Sequence, residues 1–307
     1  MRDLRLNLLL IVGLLVLLGL GLLLGETQLT GAQLAQAFRD PASGPGEVLW
    51  SIRAPRTVAA AVVGAALGLA GAVMQGLLRN PLADPGVLGV SGGAGLGAAL
   101  AISLGLAAAP GAVEAAALTA ALATGLLLTV LAARFREPET LILFGVALSA
   151  FTGALTSLVF NFSPSPVTLA EVFAWLGVAL CAYAARGLVM LSLGEETAAL
   201  SGLPMMRLRA AAVAGASLLT GAAVAMAGIV GFVGLAAPHL VRAGAGADPG
   251  RVLVPSALAG AGLLVAADLA ARVIPTDLEL KLGVVTALFG APLFALIAWR
   301  AARSWRG

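Results

Sequence analysis

Residues Arg53–Gly97 read RAPRTVAAAVVGAALGLAGAVMQGLLRNPLADPGVLGVSGGAGLG, and this stretch decides the fold. It opens on a basic, proline-stiffened segment, Arg53-Ala54-Pro55-Arg56. From Thr57 to Leu78 follow 22 residues with no charge and one amide, Gln75. About twenty such residues suffice to cross a bilayer core as a helix. Gly64, Gly68 and Gly71 recur at spacings of four and three, which puts small residues on one face and lets a second backbone approach closely. The corner Arg79-Asn80-Pro81-Leu82-Ala83-Asp84-Pro85-Gly86 holds two X-Pro steps, and the residue before each proline is pushed out of the helical region. Beyond it, Gly93 and Gly97 repeat the small-residue spacing in a second apolar run. The stretch predicts surface contact, membrane helix, tight turn and membrane helix in succession.

Composition places the whole chain in the same class. Hydrophobic residues make up 60% and charged ones 11%, against about a quarter charged in soluble domains. The pI near 10.0 comes from arginines scattered between apolar runs. There is no basic stripe with aromatic interleaving, which excludes nucleic acid as a partner. One cysteine, Cys181, allows no intramolecular disulfide, and one histidine, His239, makes no metal site with it. No polar linker divides the chain, so residues 1–307 read as a single transmembrane domain.

Ten apolar segments are expected: 4–25, 54–78, 87–108, 113–133, 140–160, 172–191, 210–228, 231–241, 252–271 and 282–299. The first lacks a convincing cleavage site and reads as a retained helix. A short interfacial helix is expected at 30–38. The run 231–241 is too short to span upright and is admissible only if buried in protein. Alternating sides from an inside N-terminus places Arg2, Arg5, Arg79, Arg134, Arg136, Arg186, Arg207, Arg209, Arg242, Arg251, Arg300, Arg303 and Arg306 inside. Arg39, Arg53, Arg56, Arg272 and Lys281 fall outside. That divides the 18 basic residues 13 to 5, so the positive-inside rule sets both termini in the cytoplasm.

No catalytic set is present. The glycine-rich run Ser91–Gly97 contains no phosphate-binding fingerprint and follows no strand, and the only lysine is Lys281. ATP chemistry, if used, must belong to another chain. Asp268 and Arg272, four residues apart, sit one helical turn from each other and offer an ion pair. His239 and Gln75 read as packed polar groups with interhelical hydrogen bonds. The polar segment 190–209 contains a short helix opening at Gly194-Glu195-Glu196-Thr197, with acids in the first turn where the helix dipole favours them.

R-x-P-R, followed by an Ala/Gly-rich helix ending in Gln75-Gly-Leu-Leu-Arg-Asn-Pro-Leu-Ala-Asp-Pro-Gly86, resembles the FecCD-type permeases of ABC importers for iron–siderophore, haem and cobalamin. So do Leu191-Ser-Leu-Gly-Glu-Glu-Thr-Ala198, Gly231-Phe-Val-Gly-Leu-Ala-Ala-Pro-His-Leu-Val-Arg242 and Gly283-Val-Val-Thr-Ala-Leu-Phe-Gly-Ala-Pro292. The resemblance implies an all-α polytopic fold of the type II importer class in the inner membrane, acting as a homodimer and not as an enzyme. Two cytoplasmic ATPase subunits would carry the ATP and Mg; no cofactor would be bound by this chain. A periplasmic or lipid-anchored substrate-binding protein would deliver the cargo, and membrane lipids would surround the bundle. The resemblance also assigns residues. Leu193, Gly194, Glu195, Glu196, Thr197 and Gly202 would form the helix that couples to the ATPase. Arg53 and Arg56 would meet acidic residues of the binding protein, with Arg272 a third member by position.

Two departures from the family pattern stand out. Glu279-Leu280-Lys281 has lysine where the family places proline. The stretch between Gly177 and Leu191 is shorter than the family spacing by about twenty residues, the length of one membrane crossing. The rival readings are an ion-coupled secondary transporter and a membrane-embedded enzyme. The first needs buried carboxylates or broken half-helices at the midplane, for which only Asp268 and the 231–241 run are candidates. The second needs paired catalytic groups at one depth, which a chain with one histidine does not offer.

Overall fold

Pro55 has no N–H to give to the carbonyl four residues back, yet the chain is helical on both sides of it. The computed structural model describes residues 2–81, 83–86, 89–134, 170–246 and 248–273, with short helical pieces between 144 and 155 and between 282 and 290. Helix α1 spans Arg2–Leu23, α2 Gly31–Arg39 and α3 Gly44–Glu47. A π-helical turn, Val48–Arg53, then joins α3 to α4, Ala54–Leu78. The widened turn is how the helix passes the proline: Ala54 N–H donates to the Leu49 carbonyl, five residues back. Helical structure therefore starts at Gly44, capped by the Ser43 hydroxyl accepting from Gly46 N–H. The helix expected over 54–78 has those bounds, and the π-helical turn continues it toward the N-terminus.

The remaining helices are α5 (Val90–Ser103), α6 (Ala112–Arg134), α7 (Ala170–Ser192), α8 (Glu195–Leu200), α9 (Met205–Ala227), α10 (Val233–Ala245) and α11 (Pro249–Val273). Among the described residues every regular element is helical. Among the described residues, five stretches are long and apolar enough to cross a membrane: Leu4–Leu23, Gly44–Leu78, Ala112–Leu131, Ala174–Ser192 and Pro249–Val273. The expected third segment is shorter than its apolar run, because Gly105 in the left-handed region closes α5 early. The expected segments at 140–160 and 282–299, and the basic tail, lie largely or wholly outside the described residues. The shortened region after Gly177 is one unbroken helix, α7.

Helix α4 is the hub: α11, α9, α10, α7 and α1 all pack on it. Its glycines set the distance. A Cβ on Gly64 would collide with the Gly260 carbonyl, and one on Gly68 with the Ser256 carbonyl, both on α11. A Cβ on Gly71 would collide with the Gly234 carbonyl on α10. The approach is mutual, since a Cβ on Gly260 would strike the Gly64 carbonyl. Gly93 and Gly97 serve the α5–α6 contact, against Thr124 and the Ala116 carbonyl.

Helix α10 is the half-length element expected from 231–241, and most of it is buried. Pro238 interrupts its ladder, because without an N–H it leaves the Gly234 carbonyl unpaired within the helix. Gln75 on α4 supplies the missing donor: its Nε2 lies 3.4 Å from that carbonyl and 3.5 Å from the Leu235 carbonyl. Helix α1 differs in kind. It packs on α11, with lesser contacts to α10 and α4, and leaves Leu8, Leu9, Val12, Leu15 and Val16 exposed, a surface suited to acyl chains.

At a contact where backbone meets backbone, no side chain can swing away to admit a larger residue. Gly68→Leu is expected to cost about 3 kcal/mol or more, read as a fall in thermal midpoint in detergent and in recovery of folded protein. Gly13→Leu, which meets nothing within 4 Å, should leave both unchanged.

Candidate functional site

Two groups of polar residues mark the two ends of α4. The first gathers where α4 begins. Arg53 is 4% exposed, and its guanidinium reaches back to the C-terminus of α1. Nη1 donates to the Leu22 carbonyl at 3.0 Å and the Leu23 carbonyl at 2.8 Å, and Nη2 donates to the Thr27 carbonyl. A helix end leaves its last carbonyls without partners, and a cation there complements the dipole. Arg272 adds to the same cap, donating from Nη1 to the Gly21 carbonyl at 3.1 Å and from Nη2 to the Thr57 hydroxyl at 3.0 Å.

Asp268 is 0% exposed and accepts from two arginines. Arg272 Nη2 reaches one carboxylate oxygen, closing the pair expected from the four-residue spacing. Arg56 Nε reaches the other at 2.9 Å. Two guanidinium groups thus share one carboxylate, and Arg53 lies beside them on the carbonyls that end α1. Of the three, Arg56 remains open to solvent, with 42% of its side chain exposed. The expected docking residues are therefore brought together but are not alike: Arg53 and Arg272 are buried in the bundle, and Arg56 faces out. Sequence patterns could not supply the Arg56–Asp268 contact, which joins residues 212 apart.

The second group lies beyond the other ends of the long helices. Helix α8 is a single short element between α7 and α9. Leu193 is exposed, and Gly194 (φ +121°) makes the corner after α7 in a backbone region open to glycine. Glu195 and Glu196 occupy the first turn, and Thr197 follows on the exposed side. Gly202 (φ +78°) ends the element. Two contacts hold α8 to the bundle. Ala198 is fully buried, and Glu195 accepts from Arg209 Nη2 on α9. Beside the exposed acids, two large apolar side chains face outward: Leu200 is 89% exposed and Met206, at the start of α9, 85%. Sequence reading found the acids here and missed this apolar pair.

A bundle of long apolar helices with a buried hub and a short exposed helix on one end is the architecture of a polytopic membrane protein. The FecCD transport family model matches residues 12–180 and 163–300, and the chain belongs to that family. The two matched stretches overlap at 163–180. The chain is 41% identical over 286 residues to the uncharacterized ABC transporter permease protein YvrB of Bacillus subtilis, covering 84% of this chain and 80% of the relative. It is 39% identical over 281 residues to the vitamin B12 import system permease protein BtuC of Shigella flexneri, covering 83% and 84%. Among solved structures, one described as an inward-facing metal-chelate type ABC transporter superposes with a TM-score of 0.75 at 29% identity, over 96% of this chain and 99% of that one.

The protein is thus a multi-pass permease subunit of an ABC importer and not an enzyme, and its family works with an ATPase and a substrate-binding protein. The secondary-transporter and membrane-enzyme readings are not favoured. Asp268, the acid on which the first leaned, is occupied by two arginines.

Removing the acid of a buried network leaves its cations uncompensated, which costs several times what an exposed pair contributes. Asp268→Ala is expected to destabilise the protein by about 3–5 kcal/mol, whereas Arg56→Ala, half in solvent, should cost no more than about 1 kcal/mol. Thermal unfolding of the two variants in one detergent measures the contrast.

Proposed function

We propose that two copies of this chain form the translocation path for a metal chelate or corrinoid, with cargo delivered at the Arg56 end and ATP hydrolysed beyond the α8 end. Residues 1–307 act as one transmembrane unit. The chain binds no cofactor of its own, and ATP and Mg reside on the ATPase. Both termini are cytoplasmic, so the Arg53–Arg56–Asp268–Arg272 cluster faces the periplasm in the inner membrane. The cargo class follows the relatives: cobalamin for BtuC and a metal chelate for the solved transporter. Ferric siderophore and haem belong to the same class of large chelates.

The observation that carries the reading is α8. It is short, anchored through Ala198 and Glu195, and exposes Leu200 and Met206 at the end assigned to the cytoplasm. An apolar knob on a rigid mount transmits displacement to and from a partner in a way that a flexible loop cannot. At the other end, three arginines around one acid leave net positive charge, with Arg56 its accessible part. An acidic binding protein would be steered there, which affects association rate and register more than raw affinity.

Leu200→Asp should reduce co-purification of the ATPase at least tenfold while leaving the thermal midpoint of the permease unchanged. Full ATPase recovery with normal cargo-stimulated hydrolysis would remove α8 from the coupling surface. At the outer end, Arg56→Gln should slow association of the binding protein several-fold at low salt. It should also flatten the salt dependence over the range where the Debye length falls to about 8–10 Å. An unchanged rate and slope would place the docking surface elsewhere.

A further inference from the structure

Where α4, α10 and α11 meet at the end of α4, they enclose an open cavity of about 310 Å³. Its lining includes Gln75, Arg79, Asn80, Arg242, Pro249 and Val252. Arg79 follows the last residue of α4 in the left-handed conformation (φ +50°), and Arg242 lies in the last turn of α10. Neither guanidinium makes an ion pair or hydrogen bond among the described residues. Gln75 is 2% exposed. Its amide nitrogen is engaged with α10, but its Oε1 is buried without a partner. A buried acceptor left unsatisfied costs about 1–3 kcal/mol, so its neighbourhood favours a donor.

We infer that this cavity binds a phosphate group that also carries a hydrogen-bond donor, the phosphate between Arg79 and Arg242 and the donor on Gln75 Oε1. Two guanidinium groups suit a phosphate, which they bind through charge-assisted hydrogen bonds. The requirement for a donor narrows the class further. The glycerol hydroxyl of phosphatidylglycerol meets it, and so does a protonated oxygen of inorganic phosphate, whereas the trimethylammonium group of phosphatidylcholine offers none. Basic pockets between membrane helices on the cytoplasmic side hold lipid headgroups in this manner.

The electrostatic surroundings are mixed. The C-termini of α4 and α10 oppose an anion, and the N-terminus of α11 at Pro249 favours it. Asp248 at that N-terminus is already committed, accepting from Gly250 N–H at 2.9 Å and pairing with Arg251 at 3.4 Å. The arginines must therefore carry the attraction. Only the choice of leaflet rests on the orientation proposed above; the binding chemistry does not.

The test uses the full chain, delipidated in detergent, with native mass spectrometry and thermal midpoint as readouts. The probes are dioctanoyl phosphatidylglycerol, dioctanoyl phosphatidylcholine and inorganic phosphate. Phosphatidylglycerol should bind at least tenfold more tightly than phosphatidylcholine, and Arg79→Gln with Arg242→Gln should abolish that preference. Gln75→Leu should reduce the discrimination between the two headgroups while keeping part of the affinity. Should this variant fold poorly, the arginine pair alone decides the matter. Saturable binding of inorganic phosphate that the arginine pair abolishes, without a preference for phosphatidylglycerol, would support the same site with a soluble source. The proposal fails if no probe binds or if the double variant binds phosphatidylglycerol as the unaltered chain does. It fails equally if the double variant keeps the lipid and loses the ATPase, because the arginines would then be a protein contact.

Discussion

Backbone meeting backbone is the constraint on which the rest of the bundle depends. In lipid there is no hydrophobic drive to press one apolar helix against another, so packing and polar contacts must hold them. Here the packing comes from omitting side chains. Gly64, Gly68 and Gly260 bring α4 and α11 to the closest distance that two main chains allow, and Gly71 does the same with α10 at the Gly234 carbonyl. One turn beyond Gly71, Gln75 donates to the carbonyl that Pro238 has left unpaired. The glycine, the proline and the glutamine are therefore parts of one contact. The glycine gives access, the proline frees an acceptor, and the glutamine fills it.

The two ends of α4 are built from different chemistry. At the N-terminal end of α4 the polar groups are turned inward: Arg53 and Arg272 hold the end of α1, Asp268 pairs with Arg272 and Arg56, and of the three arginines only Arg56 stays open to solvent. Such an end is fixed by its own polar contacts and leaves one accessible charge, Arg56. At the α8 end the polar contact, Glu195–Arg209, is structural, and the most exposed apolar groups are Leu200 and Met206. Apolar groups exposed in water on a fixed mount favour a lasting neighbour.

How much of this was legible in the sequence follows from the range of each interaction. Gly64, Gly68 and Gly71 could be read because helical periodicity alone places them on one face. The Asp268–Arg272 pair could be read for the same reason, being one turn apart. The shortness of α10 was visible in its 11-residue apolar run, and its burial followed because exposed backbone ends are costly in a membrane. Arg53 is the opposite case. Its partners are carbonyls of α1 about thirty residues upstream, and no local pattern distinguishes a guanidinium that caps a helix from one that faces water. Arg56 reaching Asp268 was hidden for the same reason. The apolar pair Leu200 and Met206 was missed because the acids of the first turn are the louder signal in that segment.

The π-turn at Val48–Arg53 has a consequence beyond passing Pro55. Each residue of an α-helix advances the direction of its side chain by about 100°, so fitting one additional residue into a turn re-phases everything before it against everything after it. The segment from Gly44 to Arg53 and the segment from Ala54 to Leu78 share an axis but not an angular origin. Upstream, the phase brings Trp50 under α2, where its indole N–H donates to the Ala37 carbonyl at 3.1 Å and its ring meets Phe38 edge to face. Downstream, it aligns the glycine face with α10 and α11. The turn works as a vernier between an outer collar and an inner bundle. Each could change its surface in evolution without rotating the other out of register.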